Sequence, residues 1–257
     1  MTTGPVVRTL VVAQATFYRS FAGTAAVALA AAALVYPLLV LAVVRGSPSG
    51  TDLLQPTETL FSALFLPVIL LLVCLVNAVG LFRTELEEDT LLYPMNRTIP
   101  RPALVAGKYL GFAAATLVVL VPSMLVGTSI AAAATSGPTF ATVGLLEAIV
   151  AMTVLGVLAY GAIFLLLGLW TRHALVLGLL YGFIWETFIS VLAGPVRAWT
   201  VVYYLRDLGS QLALTGPLGQ GPNDVPMATA GALLVAGALV ALAIASVHLQ
   251  LAETRPG

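Results

Sequence analysis

Long apolar segments alternate with short polar ones along most of this chain. No charged residue occurs within residues 22–44 or 59–82, nor between Lys108 and Glu147. A helix that crosses the hydrocarbon core of a bilayer needs about 20 apolar residues. The third of these uncharged runs is long enough for two such helices. The pattern therefore predicts an all-α, polytopic membrane protein with six transmembrane helices.

The predicted spans form one transmembrane domain over residues 1–257. In chain order they are 22–44, 59–82, 106–133, 141–167, 174–193 and 227–250. The first is longer than the apolar core of a cleavable signal peptide, which is about 7 to 15 residues, so we expect it to be retained.

The two longest connections differ in composition. A strongly charged segment, 83–105, follows the second span, whereas residues 194–226 are moderately apolar and rich in proline and glycine. Turn-forming residues of this kind interrupt regular helices. We predict that residues 194–226 form a structured external loop or a segment that re-enters the membrane.

Residues 5–21 are apolar but contain two arginines. At about 100° per residue, Arg8 and Arg19 fall on one helical face, and Phe17 and Phe21 fall on the opposite face. Such a pattern predicts an amphipathic helix that lies in the membrane interface. The alternative is an irregular beginning of the first span.

Composition agrees with a membrane protein and excludes some other classes. Of the 257 residues, 60% are hydrophobic and 9% are charged, whereas soluble domains are about a quarter charged. The formal net charge of zero excludes a broad basic face for nucleic acid. The single cysteine, Cys74, cannot form an intramolecular disulfide or a cysteine-based metal site.

The distribution of lysine and arginine predicts the orientation. With both termini on one side, that side carries eight of these residues and the other side carries three: Arg8, Arg19, Arg83, Arg97, Arg101, Lys108, Arg172 and Arg255 against Arg45, Arg197 and Arg206. Positive residues favour the cytoplasmic side. We therefore expect a cell-membrane protein with cytoplasmic N- and C-termini.

Sequence motifs for ATP binding or hydrolysis are missing. The pair Gly107-Lys108 lacks both the first glycine of a phosphate-binding loop, where Pro102 stands, and the hydroxyl, where Tyr109 stands. The chain also has no G-x-S-x-G nucleophile elbow and no H-E-x-x-H zinc motif. We expect a protein that is not itself an enzyme and binds no cofactor or metal.

The densest charge lies in residues 83–108, which read RTELEEDTLLYPMNRTIPRPALVAGK and contain four acidic and four basic side chains. Mixed charge between two spans cannot lie in lipid, so this segment is expected in water. There it can contact a soluble partner.

This segment resembles the cytoplasmic signature of ABC-2 type transporter permeases. The matching residues are Glu87, Asp89-Thr90 with the apolar Leu91-Leu92-Tyr93, then Pro100-Arg101 and Gly107-Lys108. Departures from the family pattern are Asp89 for glycine, Thr98 for proline, and Pro94 within the apolar stretch. The order of spans, the N-terminal helix and the long last connection extend the resemblance over nearly the whole chain.

The resemblance implies a transport subunit that works with a separate ATP-binding subunit. Two permease copies, identical or paralogous, would pair with two ATPase subunits that bind ATP and Mg²⁺, and the complex would export a hydrophobic or amphipathic substrate. A coupling helix after the second span would dock on the ATPase. The residues assigned to this coupling are Glu87, Glu88, Asp89, Thr90, Leu91, Leu92, Tyr93, Arg97, Arg101 and Lys108, with Arg172 in the short turn between the fourth and fifth spans.

Polar residues inside the predicted spans are the second set of candidates. A charged side chain at the bilayer centre costs ~2.5–3.5 kcal/mol on insertion scales and normally faces a cavity or a partner. We take Glu186 and Glu147, with Tyr181 and Trp185 near Glu186, as candidates for the transport pathway or its gate. Hydrogen bonding between helices is the alternative role, and it is the one we favour for Asn77.

Glu186 also supports a different function. An ATP-independent channel or ion-coupled carrier could use this carboxyl group as its ion site, without a cytoplasmic partner.

Two pairs of glycines have the spacing that permits close helix approach. They are Gly107 with Gly111, and Gly178 with Gly182.

Overall fold

The computed structural model describes residues 5–48, 52–87, 100–135, 140–191, 195–213, 218 and 223–253. Within these ranges almost every residue is helical and no strand is present. The predicted all-α fold is therefore confirmed. Residues 88–99, which hold most of the predicted coupling segment, lie outside the described residues.

Eight helices follow one another in the described ranges. They are α1 (Pro5–Arg19), α2 (Gly23–Gly46), α3 (residues 54–87), α4 (Arg101–Ala134), α5 (Phe140–Trp170), α6 (residues 174–191), α7 (Val201–Ala213) and α8 (Met227–Glu253). A short 3₁₀ turn, Pro195–Trp199, precedes α7.

Two of these helices contain π-helical segments. In α3, a π segment Phe61–Leu70 separates the α-helical Leu54–Leu60 and Leu71–Glu87. In α6, a π segment Tyr181–Phe188 follows Ala174–Leu180 and precedes a 3₁₀ turn, Ile189–Val191. The π-helix is rare in proteins and is often found at functional sites.

In the described part of the chain, five helices are long and apolar enough to cross a membrane: α2, α3, α4, α5 and α8. This agrees with a multi-pass membrane protein. The fifth predicted span, 174–193, corresponds to α6, whose apolar part, Ala174–Phe188, is shorter. Helix α3 continues to Glu87, within the charged segment, and α4 begins at Arg101 near the other end of that segment.

Helix α5 lies at the centre of the bundle and packs against α3, α4, α7 and α8. Its side chains Met152, Val157, Tyr160 and Phe164 are fully buried. The core that they form holds the polar groups described below in fixed positions.

Both glycine pairs lie where helices are in close contact, as their spacing permits. A Cβ at Gly107 or Gly111 would collide with backbone carbonyls of α1, so this pair forms the surface of α4 on which α1 lies. The pair Gly178 and Gly182 similarly lies against leucine side chains of α3. Without side chains at these positions, backbones approach closely and gain packing contacts.

Prolines within the spans remove backbone hydrogen bonds. At one of these positions, a side chain of a neighbouring helix donates the missing hydrogen bond. Pro37 in α2 has no N–H to donate to the carbonyl of Ala33, four residues earlier. The hydroxyl of Ser123 in α4 donates to that carbonyl at 2.5 Å. An unpaired carbonyl is costly in lipid. This bond therefore fixes the position of α2 relative to α4 along the helix axes.

Helix α6 presents two different faces. Its buried face consists of residues four apart, namely Ala174, Gly178, Gly182 and Glu186. Large hydrophobic side chains are exposed on the rest of the helix, including Phe183 and Phe188. Small residues and one acid therefore form the buried face, and the partly buried Tyr181 beside them packs against Phe164 of α5.

Candidate functional site

Glu186 joins three helices at the beginning of α7. Its side chain is fully buried. The hydroxyls of Tyr160 and Tyr181 donate to its carboxyl oxygens at 3.0 and 2.5 Å, and the backbone N–H groups of Val201 and Val202 donate at 3.1 and 2.9 Å. The first N–H groups of a helix have no partner within the helix. Glu186 supplies that partner for α7 from α6, while Tyr160 connects it to α5.

Arg206 of α7 contacts the π segment of α3. Its guanidinium donates to the carbonyl of Ser62 at 3.3 Å. In a π-helix this carbonyl would accept from residue 67, five positions later, but residue 67 is proline. Arg206 therefore replaces a donor that Pro67 lacks. Burial lowers the pKa of Arg206 from its ordinary value, and the nearby Glu186 opposes this effect.

Asp207, the next residue, connects α7 to the beginning of α8. It is fully buried, and its carboxyl group accepts from the Gln211 side chain and from the Asp224 N–H, both at 2.9 Å. The Gln211 amide also donates to the Val225 carbonyl at 2.7 Å and accepts from the Met227 N–H at 2.9 Å. The chain that leads into α8 is thus hydrogen-bonded along α7.

We call Tyr160, Tyr181, Glu186, Arg206 and Asp207 the α7 cluster. Weaker contacts surround it. Arg197 and Asp224 form an ion pair at 2.6 Å with both side chains partly exposed, and the Tyr203 hydroxyl donates to Asp224 at 3.0 Å. Burial, together with this hydrogen bond, raises the pKa of Tyr203.

The pathway and gate candidates do not lie together. Glu186 and Tyr181 share a hydrogen bond in the α7 cluster, and Trp185 is nearby, donating through Nε1 to the Trp199 carbonyl at 3.1 Å. Glu147 is exposed on α5, and Asn77 belongs to a separate cavity described below. The proposed role of these residues in a transport route stays a prediction.

Sequence reasoning did not identify Tyr160, Arg206, Asp207 or Glu58 as site residues. Glu58 is buried near the beginning of α3 and accepts from the Leu218 N–H at 3.2 Å. One signal was present: Val202, Leu205 and Leu208, which are buried, recur at three-residue intervals, as expected for one face of a helix. This periodicity indicates α7 within the segment that we expected to be a loop.

A second polar region lies where α1, α2, α3 and α4 meet. It surrounds a cavity of about 300 Å³, which we call the α1 cavity. The cavity is lined by Thr16, Arg19, Ser20, Ala22, Gly23, Ala25, Val76, Asn77, Gly80, Leu81 and Lys108. Four helices thus border a partly open space, and two of its lining residues are cationic.

Lys108 connects α4 to the end of the apolar part of α3. It is only 4% exposed. Its Nζ donates to the Leu81 carbonyl at 2.6 Å and lies 4.3 Å from the centre of the Phe82 ring. A carbonyl and an aromatic face both stabilise a buried ammonium group. Lys108 therefore joins the end of α3 to the beginning of α4, the two helices that flank residues 88–99.

Asn77 has one unsatisfied polar atom. Its Nδ2 donates to the Val73 carbonyl at 2.8 Å, one turn earlier in the same helix. Its Oδ1 is buried and has no hydrogen-bond donor within the described ranges. The interhelical hydrogen bond that we expected for this residue is therefore not formed by any described residue.

Among the predicted coupling residues, Arg101 begins α4 and Arg172 is exposed in the turn between α5 and α6. Glu87 ends α3, and Glu88 to Arg97 lie outside the described residues. In the ranges given above, no three His, Cys, Asp or Glu side chains are close enough together to hold a metal ion. The chain matches no protein-family model and no curated protein.

Proposed function

We propose that this chain is the membrane-spanning subunit of an ATP-driven transporter of the ABC-2 type. In this proposal α6 is a sixth span, both termini are cytoplasmic, and α1 lies in the membrane interface. The resemblance of residues 83–108 to the coupling signature of those permeases is the basis of the proposal.

The observation that carries the proposal furthest is the contact between Lys108 and α3. Lys108 is the last residue of the signature. Its ammonium group donates a hydrogen bond to the carbonyl of Leu81, which lies just before the charged segment. This contact joins the two ends of the segment. A force applied to residues 88–99 would therefore move α3 and α4 together. Coupling to a motor subunit requires such a connection.

The proposed mechanism needs parts that other chains supply. Two copies of this subunit, or this subunit and a paralogue, form the pathway, and two ATPase subunits bind ATP and Mg²⁺. Closure of the ATPase subunits pushes on residues 83–105 and on the turn that carries Arg172. The spans then tilt and change which side of the membrane has access to a hydrophobic or amphipathic substrate.

The alternative is an ATP-independent channel or ion-coupled carrier in which Glu186 binds the ion. The buried position of Glu186 favours this function, since acids inside membranes often belong to ion pathways. Against it, both carboxyl oxygens already accept hydrogen bonds from groups that α5, α6 and α7 hold in place. An ion would have to displace these donors.

Copurification tests the proposal. Affinity-tagged chain is extracted from its native membrane, and the eluate is analysed for a stoichiometric ATPase that contains a phosphate-binding loop. We expect the wild type to recover the ATPase and the double variant Leu92→Asp with Arg101→Glu to lose it. The matched control is Arg45→Glu, an exposed charge reversal on the predicted opposite side.

Equal recovery by the double variant and the wild type would contradict docking through this segment. If no ATPase is recovered and purified chain in liposomes transports in response to an ion gradient, the carrier function replaces the proposal.

A further inference from the structure

Another cavity, of about 410 Å³, lies between α5, α8 and the beginning of α7, and we call it the α8 cavity. Its lining includes Ala159 and Ile163 of α5, Leu233 and Gly237 of α8, and Val201 at the beginning of α7. Leu233 and Gly237 are exposed, so the cavity is open on the side of α8. Ligand sites commonly measure about 300–1,000 Å³, and this cavity is large enough to hold part of a molecule.

Two described helix ends give the levels of the membrane surfaces beside this cavity. Helix α5 ends at Trp170, and the turn that follows contains the exposed Arg172. Helix α8 begins at Met227, after the exposed Asn223 and Asp224. Exposed polar residues of this kind lie outside the hydrocarbon of a bilayer. Each of these helix ends therefore lies close to one surface of the hydrocarbon.

The two helix ends lie on opposite sides of the bilayer. The Met227 N–H donates to Gln211 of α7 at 2.9 Å, and Gly209, two residues before Gln211, lies against the Met152 side chain of α5. Met227 is therefore near the level of Met152. From Met152 to Trp170, α5 rises about 27 Å at 1.5 Å per residue, which agrees with a hydrocarbon core of about 30 Å.

On the same scale, the α8 cavity lies near the centre of the bilayer. Its lining residues Ile163 and Ala159 are about 10 and 17 Å from Trp170 along α5. The midpoint between the two helix ends falls between them. A molecule that enters through the opening at α8 therefore comes from the hydrocarbon of the bilayer.

The lining residues favour an apolar occupant. None of the eleven is charged, and eight of them have a hydrocarbon side chain or none. The Thr200 hydroxyl already donates to the Arg197 carbonyl at 2.8 Å and accepts from the Tyr203 N–H at 3.3 Å. A cavity of this volume would hold several waters, each of which needs two to four polar partners. Hydrocarbon needs none.

We propose that the α8 cavity binds the terminal part of an acyl chain of a membrane phospholipid. The chain enters at Leu233 and Gly237 and ends beside Ala159 and Val201. Because the Val201 N–H is bonded to Glu186, the chain also packs against the turn that the α7 cluster holds. This inference goes beyond the transport function proposed above and does not depend on it.

Gly237 provides a way to fill the cavity without disturbing its walls. It lines the cavity, and a Cβ at this position would meet no atom within 4 Å. Gly237→Leu should therefore fold and occupy the position of the acyl chain. Gly231→Leu in the same helix is the matched control, because a Cβ there also meets no atom within 4 Å and Gly231 does not line the cavity.

Binding is measured by photolabelling of the full chain in phosphatidylcholine liposomes. These contain the same lipid with a diazirine either near the end of one acyl chain or near its carbonyl. Mass spectrometry of the digested protein compares labelling of Ala159 and Leu234, which are buried, with labelling of Phe183, which is exposed on α6 and is the reference for bulk lipid.

For the chain-end probe, we expect Gly237→Leu to lower this labelling ratio about tenfold, because the leucine displaces several buried methylene groups of the acyl chain. Gly231→Leu should leave the ratio unchanged. In the wild type, the probe near the carbonyl should label Ala159 and Leu234 about tenfold less than the chain-end probe does, since it stays near the membrane surface.

Four results would overturn the proposal. An unchanged ratio in a folded Gly237→Leu variant would place the acyl chain elsewhere, and absence of label at Ala159 and Leu234 in the wild type would do so without any variant. Equal labelling of these residues by a water-soluble diazirine would show a water-filled cavity. If the wild type elutes as an unlabelled dimer and Gly237→Leu elutes as a monomer, a second copy of this chain fills the cavity.

Discussion

The two polar regions of this molecule satisfy their polar atoms to different degrees. In the α7 cluster, Glu186 accepts four hydrogen bonds and Asp207 accepts two, each from a donor with a fixed position. In the α1 cavity, the Oδ1 of Asn77, which is one of the lining residues, has no hydrogen-bond donor within the described residues. One region is complete within this chain, and the other has room for a further molecule.

This difference follows from the cost of burying polar groups. A buried polar atom without a partner costs about 1–3 kcal/mol, and the penalty is larger for a charge. The α7 cluster avoids this cost with its own backbone and hydroxyl groups, so it holds α5, α6 and α7 in one arrangement. In the α1 cavity, the Oδ1 of Asn77 leaves part of this cost in place.

The largest expected effect comes from truncating the centre of the α7 cluster. Glu186→Ala would leave two hydroxyls and two backbone N–H groups without an acceptor. We expect it to lower the free energy of unfolding by roughly 3 kcal/mol or more, since each buried unpaired donor costs about 1–3 kcal/mol. The measurement is unfolding by SDS titration in mixed micelles.

Glu147→Gln serves as the control for this change, because Glu147 is an exposed acid in a neighbouring helix. Its effect should stay within about 0.5 kcal/mol. If Glu186→Ala is no more destabilising than Glu147→Gln, then the α7 cluster does not hold the helices together and the contrast with the α1 cavity fails.

An intermediate effect is expected where α1 meets α4. A Cβ at Gly111 would collide with the Ala13 carbonyl, which is backbone and cannot rotate away. Gly111→Ala should therefore displace α1 and destabilise the protein by about 1–3 kcal/mol. The readouts are the same titration and the rate of protease cleavage within α1.

The corresponding control is Gly231→Ala in α8, where the added methyl meets no atom within 4 Å. Alanine is the better helix former by up to about 1 kcal/mol, so this variant should be unchanged or slightly more stable. A Gly111→Ala variant with the same stability and protease resistance would show that α1 is not held in the observed contact.

The smallest effect is expected at Asn77. Leucine at this position removes an amide whose oxygen has no donor in the described part of the chain and whose nitrogen bonds only within its own helix. Asn77→Leu should change the free energy of unfolding by less than about 1 kcal/mol, in either direction. A loss as large as that of Glu186→Ala, in lipid-free detergent, would mean that both polar regions are equally complete.

The spans could be predicted from the sequence because the hydropathy of a sufficiently long segment alone indicates that it lies in the membrane. Long uncharged runs such as residues 22–44 and 59–82 are incompatible with water over their whole length, whatever their neighbours are. Their packing was also partly readable, since the glycine spacing at Gly107 and Gly111 marks a close helix approach.

The α7 cluster could not be predicted in the same way. Its donors and acceptors come from residues that are far apart in the sequence, such as Tyr160 and Val202, and pairing between them depends on tertiary contacts. The π segments posed a similar difficulty. Pro67 indicates that a backbone hydrogen-bond donor is missing in α3, but it does not indicate which residue donates instead. Arg206 has that role, and it is 144 positions away from Ser62.

The two π segments have a joint consequence for motion in this protein. Helix α7 holds the segment in α3 through Arg206 and the segment in α6 through the N–H groups that contact Glu186. Converting either segment to an ordinary α-helix would change its register and rotate the residues beyond it by about 100° per residue. Such a rotation in one helix would pull on the short helix bonded to both. Helices α3 and α6 are therefore mechanically linked at this end, although the chain between them is more than eighty residues long.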